Sequence, residues 1–129
     1  MARIIIVDDD EIVGEIARDA LVANGHGAGH VTSAAEAYRV IKARRPDLLI
    51  LDCNMPDMSG LVLLRELRNS PVFCDLPVMM LTARRGEQDV GLAMFEGANA
   101  YVKKPFDPDE LAFRVDELLA TLPKHAGKR

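Results

Sequence analysis

The chain alternates between two kinds of apolar pattern. Short unbroken runs, "RIIIV" (Arg3–Val7), "DLLIL" (Asp47–Leu51) and "VMMLT" (Val78–Thr82), read as buried strands. "AGHVT" (Ala28–Thr32) and "AYVKK" (Ala100–Lys104) are weaker versions of the same signal. Between them apolar residues recur at helical spacing. Ile12, Val13, Ile16, Ala20 and Leu21 suggest the inner face of a first helix, with Asp9, Asp10 and Glu11 at its positive end and Asn24-Gly25 as its stop. Ser33 and Glu36 form a capping-box pattern ahead of Ala37, Val40 and Ile41, and Pro46 closes that helix. Leu61, Leu64 and Leu67 mark a third helix over Ser59–Arg68. Val90, Ala93 and Met94 mark a fourth over Gly86–Glu96, closed by Gly97. Asp107-Pro108 opens a last helix with proline at its first position. Its stripe is Leu111, Val115, Leu118, Leu119 and Leu122, and Pro123 stops it.

Five strand–helix units without an internal linker imply an α/β fold, a doubly wound five-stranded parallel sheet with helices on both faces. A length of 129 residues suits one domain, and 49% apolar residues suit a globular one. No apolar run approaches the ~20 residues of a membrane span. Arg3 is followed by only four apolar residues, too few for a signal peptide, so a cytoplasmic protein is expected, without membrane contact. Cys53 and Cys74 make no disulfide framework, and Cys53 reads as a small buried hydrophobe. A net charge of −4 argues against direct nucleic-acid binding by this domain. Residues 123–129, with Lys124, Lys128 and Arg129, read as a basic tail or the start of a linker.

The chemistry concentrates where the strands end. "LLILDCNMPDMSG" (Leu48–Gly60) drives a buried strand straight into Asp52. Asp8 and Asp9 follow the first strand, Thr82 ends the fourth and Lys104 the fifth. Ligands of open parallel sheets bind outside the carboxyl ends of the strands, so the fold gathers these groups at one rim. At an effective dielectric near 20, two like charges ~4 Å apart repel by about 4 kcal/mol, against a total stability of about 5–15 kcal/mol. Three carboxylates therefore call for a cation or a protonated member. Oxygen ligands without His or Cys favour a hard ion, and without an EF-hand loop Mg²⁺ is favoured over Ca²⁺. Mg²⁺ beside a spare carboxylate and a lysine points to phosphoryl transfer onto the carboxylate.

"VDDDE", "LDCNMPDMSG", "MLTA" and "YVKKPF", in this order and spacing, resemble the CheY-like receiver domains of two-component response regulators. The resemblance covers residues 1–122. It implies a flavodoxin-like (βα)5 sheet of strand order 2-1-3-4-5 and a phosphorylation-activated switch rather than a metabolic enzyme, catalysing only its own phosphorylation and autodephosphorylation. It implies Asp52 as phosphoacceptor, with Asp9, Asp52 and the Asn54 backbone carbonyl as direct Mg²⁺ ligands. Asp8 would hold a metal-bound water. Thr82 and Lys104 would contact the phosphoryl group, the Tyr101 rotamer would follow Thr82, and the Lys104–Pro105 bond would be cis. Asn54 and Arg84 would tune the phosphoryl lifetime. The implied partners are a sensor histidine kinase or histidine phosphotransfer protein, and a downstream protein target or effector domain. Asn99 and Ala100 stand where receivers of winged-helix regulators often carry two aspartates, which weakens the expectation of their dimer.

Other residues have plainer readings. Asp10 and Glu11 suit a first helical turn, Asp57 a turn after Pro56, and Gly60 a backbone requirement. Met79 and Met80 read as core, Lys103 as solvent-facing, and His26 and His30 lack a third partner for a metal. Three alternatives remain at this point. A haloacid-dehalogenase-type phosphatase would use Asp8 as nucleophile in an Asp8-x-Asp10 pattern. A phosphorylation-independent docking module would not need the complete acid, threonine and lysine set. The chain is also readable as the N-terminal receiver of a larger regulator with a DNA-binding or enzymatic output domain.

Overall fold

The computed structural model describes residues 1–123; the expected basic residues Lys124, Lys128 and Arg129 lie outside them. The elements run β1 (Arg3–Val7), α1 (Glu11–Ala23), β2 (Gly27–Val31), α2 (Ala34–Ala43), β3 (Leu48–Leu51), α3 (Gly60–Asn69), β4 (Val78–Thr82), α4 (Glu87–Phe95), β5 (Ala100–Lys103) and α5 (Pro108–Thr121). The strands form one parallel sheet of order β2-β1-β3-β4-β5. Among the described residues no helix is long and apolar enough to cross a membrane.

Strand side chains alternate between two cores. Ile5, Val7, Leu49, Leu51, Val78 and Met80 pack with α2, α3 and Ala93 of α4. Ile4, Ile6, Leu48, Ile50, Met79 and Leu81 pack with α1 and α5. Burial on both sides is why these strands carry no polar alternation. Met79 and Met80 are core, and Lys103 is exposed.

The helix ends follow local chemistry. Asp10 is the N-cap of α1, accepting from the Ile12 and Val13 amides, rather than a first-turn charge. Gly25 ends the turn after α1 at φ 92°, a left-handed conformation that glycine adopts freely. Ser33 caps α2, but Glu36 returns to the Thr32 amide at 3.1 Å, one residue earlier than a capping box requires. Ser59 caps α3, and Asp107 caps α5 ahead of Pro108.

Two expected inner faces hold only in part. In α1 Leu21 is buried as expected, but with Gly14 and Ala17, while Ile12 and Ile16 are 71% and 44% exposed. Small residues let α1 lie close against the sheet, and that approach turns the bulkier isoleucines outward. In α4 only Ala93 is buried; Met94 is 43% and Phe95 86% exposed. This helix touches the sheet through its smallest apolar side chain, so its larger ones have no core to enter.

Candidate functional site

The site is made by strands that hand over to loops in register. The Asp8 amide donates to the Val31 carbonyl at 3.1 Å, Asp52 to Val7 at 3.0 Å, and Lys104 to Thr82 at 2.8 Å. Each bond carries the ladder one residue beyond its strand. Strand order reverses about β1, so the carboxyl edge between β1 and β3 is the crevice of the sheet.

Asp8, Asp52 and Thr82 are the buried polar side chains of the described residues, at 1%, 5% and 0% exposure. Carboxylate oxygens of Asp8, Asp9 and Asp52 lie within 4.8 Å of one another, with Asp9 open to solvent. The Lys104 ammonium reaches in from beyond β5, 2.6 Å from Asp8 Oδ2 and 3.5 Å from Asp52 Oδ2. Burial raises the Asp8 carboxyl above its ordinary range, against the opposing pull of Lys104 and the Asp10 amide. For Lys104, burial pulls the ammonium down, but the bond to Asp8 and the field of Asp52 outweigh it, and the net direction is up. The Lys104–Pro105 peptide is cis.

One ammonium is bonded to two of the three clustered carboxylates, which leaves negative charge uncompensated on an all-oxygen donor set. That chemistry fits a hard divalent cation. Asp10, by contrast, has its carboxylate turned to the α1 amides. An Asp8-x-Asp10 catalytic pair is therefore not assembled, which removes the structural basis of the phosphatase alternative.

Thr82 and Tyr101 meet on one residue. Thr82 Oγ1 accepts from the Arg84 amide at 3.3 Å, and the Tyr101 hydroxyl donates to the Arg84 carbonyl at 2.7 Å. Burial pushes the Tyr101 phenol up to about 12. The Arg84 guanidinium crosses to the loop after β3, giving Asn54 Oδ1 bonds of 3.3 and 3.2 Å from Nε and Nη2. It also lies 3.7 Å from Asp89 of α4. Asn54 and Arg84, expected together to tune the phosphoryl lifetime, are thus joined by hydrogen bonds.

Gly60 meets the expected backbone requirement: its amide donates to the Cys53 carbonyl at 2.8 Å, and a β-carbon there would overlap the Asp52 carbonyl oxygen. Other surroundings were missed by the sequence reading. Asp57 is more than a turn residue: its carboxylate accepts from the Ala34 and Ala35 amides at 3.0 Å each, tying the loop after Asp52 to the start of α2. Cys53 is buried as expected, and burial raises its thiol further from ionisation. His26 is structural, bonded to the Ala2 amide at 3.0 Å and Asp116 at 2.7 Å. His30 bonds the Asp8 carbonyl at 2.8 Å across Gly14. The one available signal was Gly14 itself, an isolated glycine inside a helical pattern.

Comparison with known proteins agrees with this geometry. The family described as the response regulator receiver domain matches residues 4–116. The phosphate regulon transcriptional regulatory protein PhoB of Pseudomonas aeruginosa is 38% identical over 117 residues, 90% of this chain and 51% of that protein. The response regulator MprA of Mycobacterium tuberculosis is 39% identical over 127 residues, 98% of this chain and 54% of that protein. The chain thus spans about half the length of these curated relatives. A putative response regulator from Chloroflexus aurantiacus superimposes with a TM-score of 0.87 at 36% identity, covering 92% of this chain and 98% of that one. The receiver domain of a histidine kinase from Syntrophus aciditrophicus gives 0.87 at 32% identity, covering 100% and 98%.

Proposed function

The chain belongs to the response regulator receiver domain family, the phosphorylation-activated switches of two-component signalling, and from that premise we propose that Asp52 is its phosphoacceptor. Asp8, Asp9, Asp52 and the Asn54 carbonyl would hold Mg²⁺, and Thr82 and Lys104 would meet the phosphoryl group. The observation that carries this reading is the convergence of three carboxylates within 4.8 Å, with Lys104 bonded to two of them.

In the transfer, an Asp52 carboxylate oxygen attacks phosphorus of a phosphohistidine. A P–O bond forms, the P–N bond breaks, and its electron pair returns to the imidazole, which takes a proton from solvent. A bound Mg²⁺ would neutralise charge on the phosphoryl oxygens. Lys104 supplies a second positive charge, preorganised by its bond to Asp8. Thr82 exchanges the Arg84 amide for a phosphoryl oxygen. Because Tyr101 is anchored to the carbonyl of the same residue, Arg84, whose amide Thr82 holds, its side chain follows, and the groove between α4, β5 and α5 that Tyr101 lines changes shape. That groove is the proposed contact with a target or effector domain. The outward stripe of Ile12 and Ile16, beginning beside the acidic rim, is the proposed seat of the kinase or phosphotransfer protein. A cytoplasmic setting, where such donors carry their phosphohistidine, belongs to the same proposal.

Acetyl phosphate, with and without Mg²⁺, tests the reading. Mass spectrometry is expected to show an acyl phosphate at Asp52 only with Mg²⁺, absent from Asp52→Ala. Mg²⁺ is also expected to raise the melting temperature of the wild type, and Asp52→Asn to raise it in chelator by relieving repulsion. Modification at Asp8, or identical melts in chelator for wild type and Asp52→Asn, would overturn the assignment.

A further inference from the structure

We infer that His30 is a positioning residue of the phosphorylation site, acting through the main chain of Asp8. The inference rests on the assignment of Asp8, Asp9 and Asp52 made above. His30 lies on β2, at the edge of the sheet, one strand from Asp8 and Asp9 and two from Asp52, and its ring meets the main chain of Asp8. Its Nε2 sits 2.8 Å from the carbonyl oxygen of Asp8. A carbonyl only accepts, so Nε2 carries the proton and donates. Asp8 is then held at every polar group. Its amide donates to Val31, its carbonyl accepts from His30, Oδ1 accepts from the Asp10 amide at 2.9 Å, and Oδ2 accepts from Lys104.

The peptide whose oxygen His30 grips is the one joining Asp8 to Asp9. Asp9 is the exposed member of the cluster, and the structure gives its carboxylate no hydrogen-bonded side-chain partner among the described residues. Its direction is therefore set by the backbone on either side. Asp10 fixes the far side as the α1 cap, and His30 fixes the near side. Removing the imidazole would free the Asp8–Asp9 peptide to rotate and widen the spread of the three carboxylates. Partners that orient ligand groups in this way commonly contribute a factor of about 10–100 in metal affinity.

Gly14 is the other half of the device. A β-carbon at this position would overlap the Nε2, Cε1 and Cδ2 atoms of the ring. The ring fills the space against α1 that a side chain would take, and it can reach Asp8 only because position 14 is glycine. Gly14 in turn is fixed by the bond from its amide to the Asp10 carbonyl at 3.0 Å. The acid loop is thus enclosed by one imidazole and one missing side chain.

The test is calorimetric titration of the folded chain with Mg²⁺ alone, for wild type, His30→Ala, His30→Gln and Gly14→Ala. His30→Ala and Gly14→Ala are expected to weaken Mg²⁺ by about tenfold. His30→Gln, whose amide restores a donor, is expected to recover most of the loss, a rescue that packing alone would not produce. Equal affinity in His30→Ala and wild type overturns the inference and leaves the site assignment standing. A wild type that takes up no Mg²⁺ overturns the assignment, and the inference with it. If His30→Ala does not fold, ¹⁵N NMR of the wild-type imidazole at pH 8 decides. The Nε2–H tautomer supports the inference, and the Nδ1–H tautomer overturns it.

Discussion

The two loops that deliver acid to the site are held in opposite ways. The loop between β1 and α1 is gripped from inside, by a partly buried imidazole, a partly buried ammonium and the sheet ladder on Asp8. The loop between β3 and α3 is gripped where it joins α3 and at one point along its length. At Gly60 backbone presses on backbone, and at Asp57 an exposed carboxylate caps α2. On the proposed assignment, interior anchoring suits Asp8, a carboxylate that stays in place, whereas the loop after Asp52 carries the group that would change charge on phosphorylation, and its side-chain tether to α2 stands in solvent. Each loop also leads into a helix with a glycine under steric demand, but what crowds it differs: a side chain at Gly14, the main chain of Asp52 at Gly60.

That difference sets the largest expected effect. In Gly60→Ala the new β-carbon meets the Asp52 carbonyl, and no side chain can move aside. The expected loss is about 3 kcal/mol or more, the upper range for overpacking, and denaturant melts measure it. Gly14→Ala is expected to lose less, about 1–2 kcal/mol, because the His30 ring can swing away at the expense of its bond to Asp8. In the double variant Gly14→Ala/His30→Ala the steric part of that loss should vanish, giving a non-additive cycle. Equal losses for the two glycines would erase the distinction between the loops.

Asp57 sharpens the comparison from the exposed side. The amides of Ala35 and Ala34 hold its carboxyl below the usual range. A depressed folded value means the contribution is present above the unfolded pKa, about 3.9, and is lost as pH falls through the folded one. Asp57→Asn should therefore melt below the wild type at pH 7, and the gap should close as the pH is lowered beneath about 4. A gap independent of pH would assign the loss to packing rather than to the carboxylate.

These residues also show what a sequence can and cannot disclose. The strands, the acid positions and the lysine were legible because each lies where an apolar run meets a polar residue, a local signal. The inner face of α1 was not. Ile12 and Ile16 carry the apolar pattern, but Gly14 and Ala17 carry the contact, because close approach to a sheet favours small side chains. Asp57 and His30 were read blandly for a related reason. Each acts on a backbone group 22 or 23 positions away, Asp57 on Ala34 and Ala35 and His30 on Asp8, and no spacing rule along the chain reports such a bond.

The smallest expected effect lies at the mouth of the loop after Asp52 and touches rate, not stability. Arg84 spans from Asn54 to Asp89, so its guanidinium bridges the loop after Asp52 to α4. Loss of phosphate needs a water in line behind phosphorus. A guanidinium lying across that approach obstructs the water and offers donors to the phosphoryl oxygens. Asn54, through its amide, can instead hydrogen-bond the water. Arg84→Ala is therefore expected to shorten the phosphoryl lifetime and Asn54→Ala to lengthen it, each by up to about tenfold, which needs only about 1.4 kcal/mol in the barrier. The measurement is decay of purified phosphoprotein in Mg²⁺ with the donor removed. Both bonds between the two residues end on Asn54 Oδ1, so the double variant reports whether they act as one unit. If they do, its decay differs from the product of the single changes; if Arg84→Ala leaves decay unaltered, the bridge is a surface contact without a part in the lifetime.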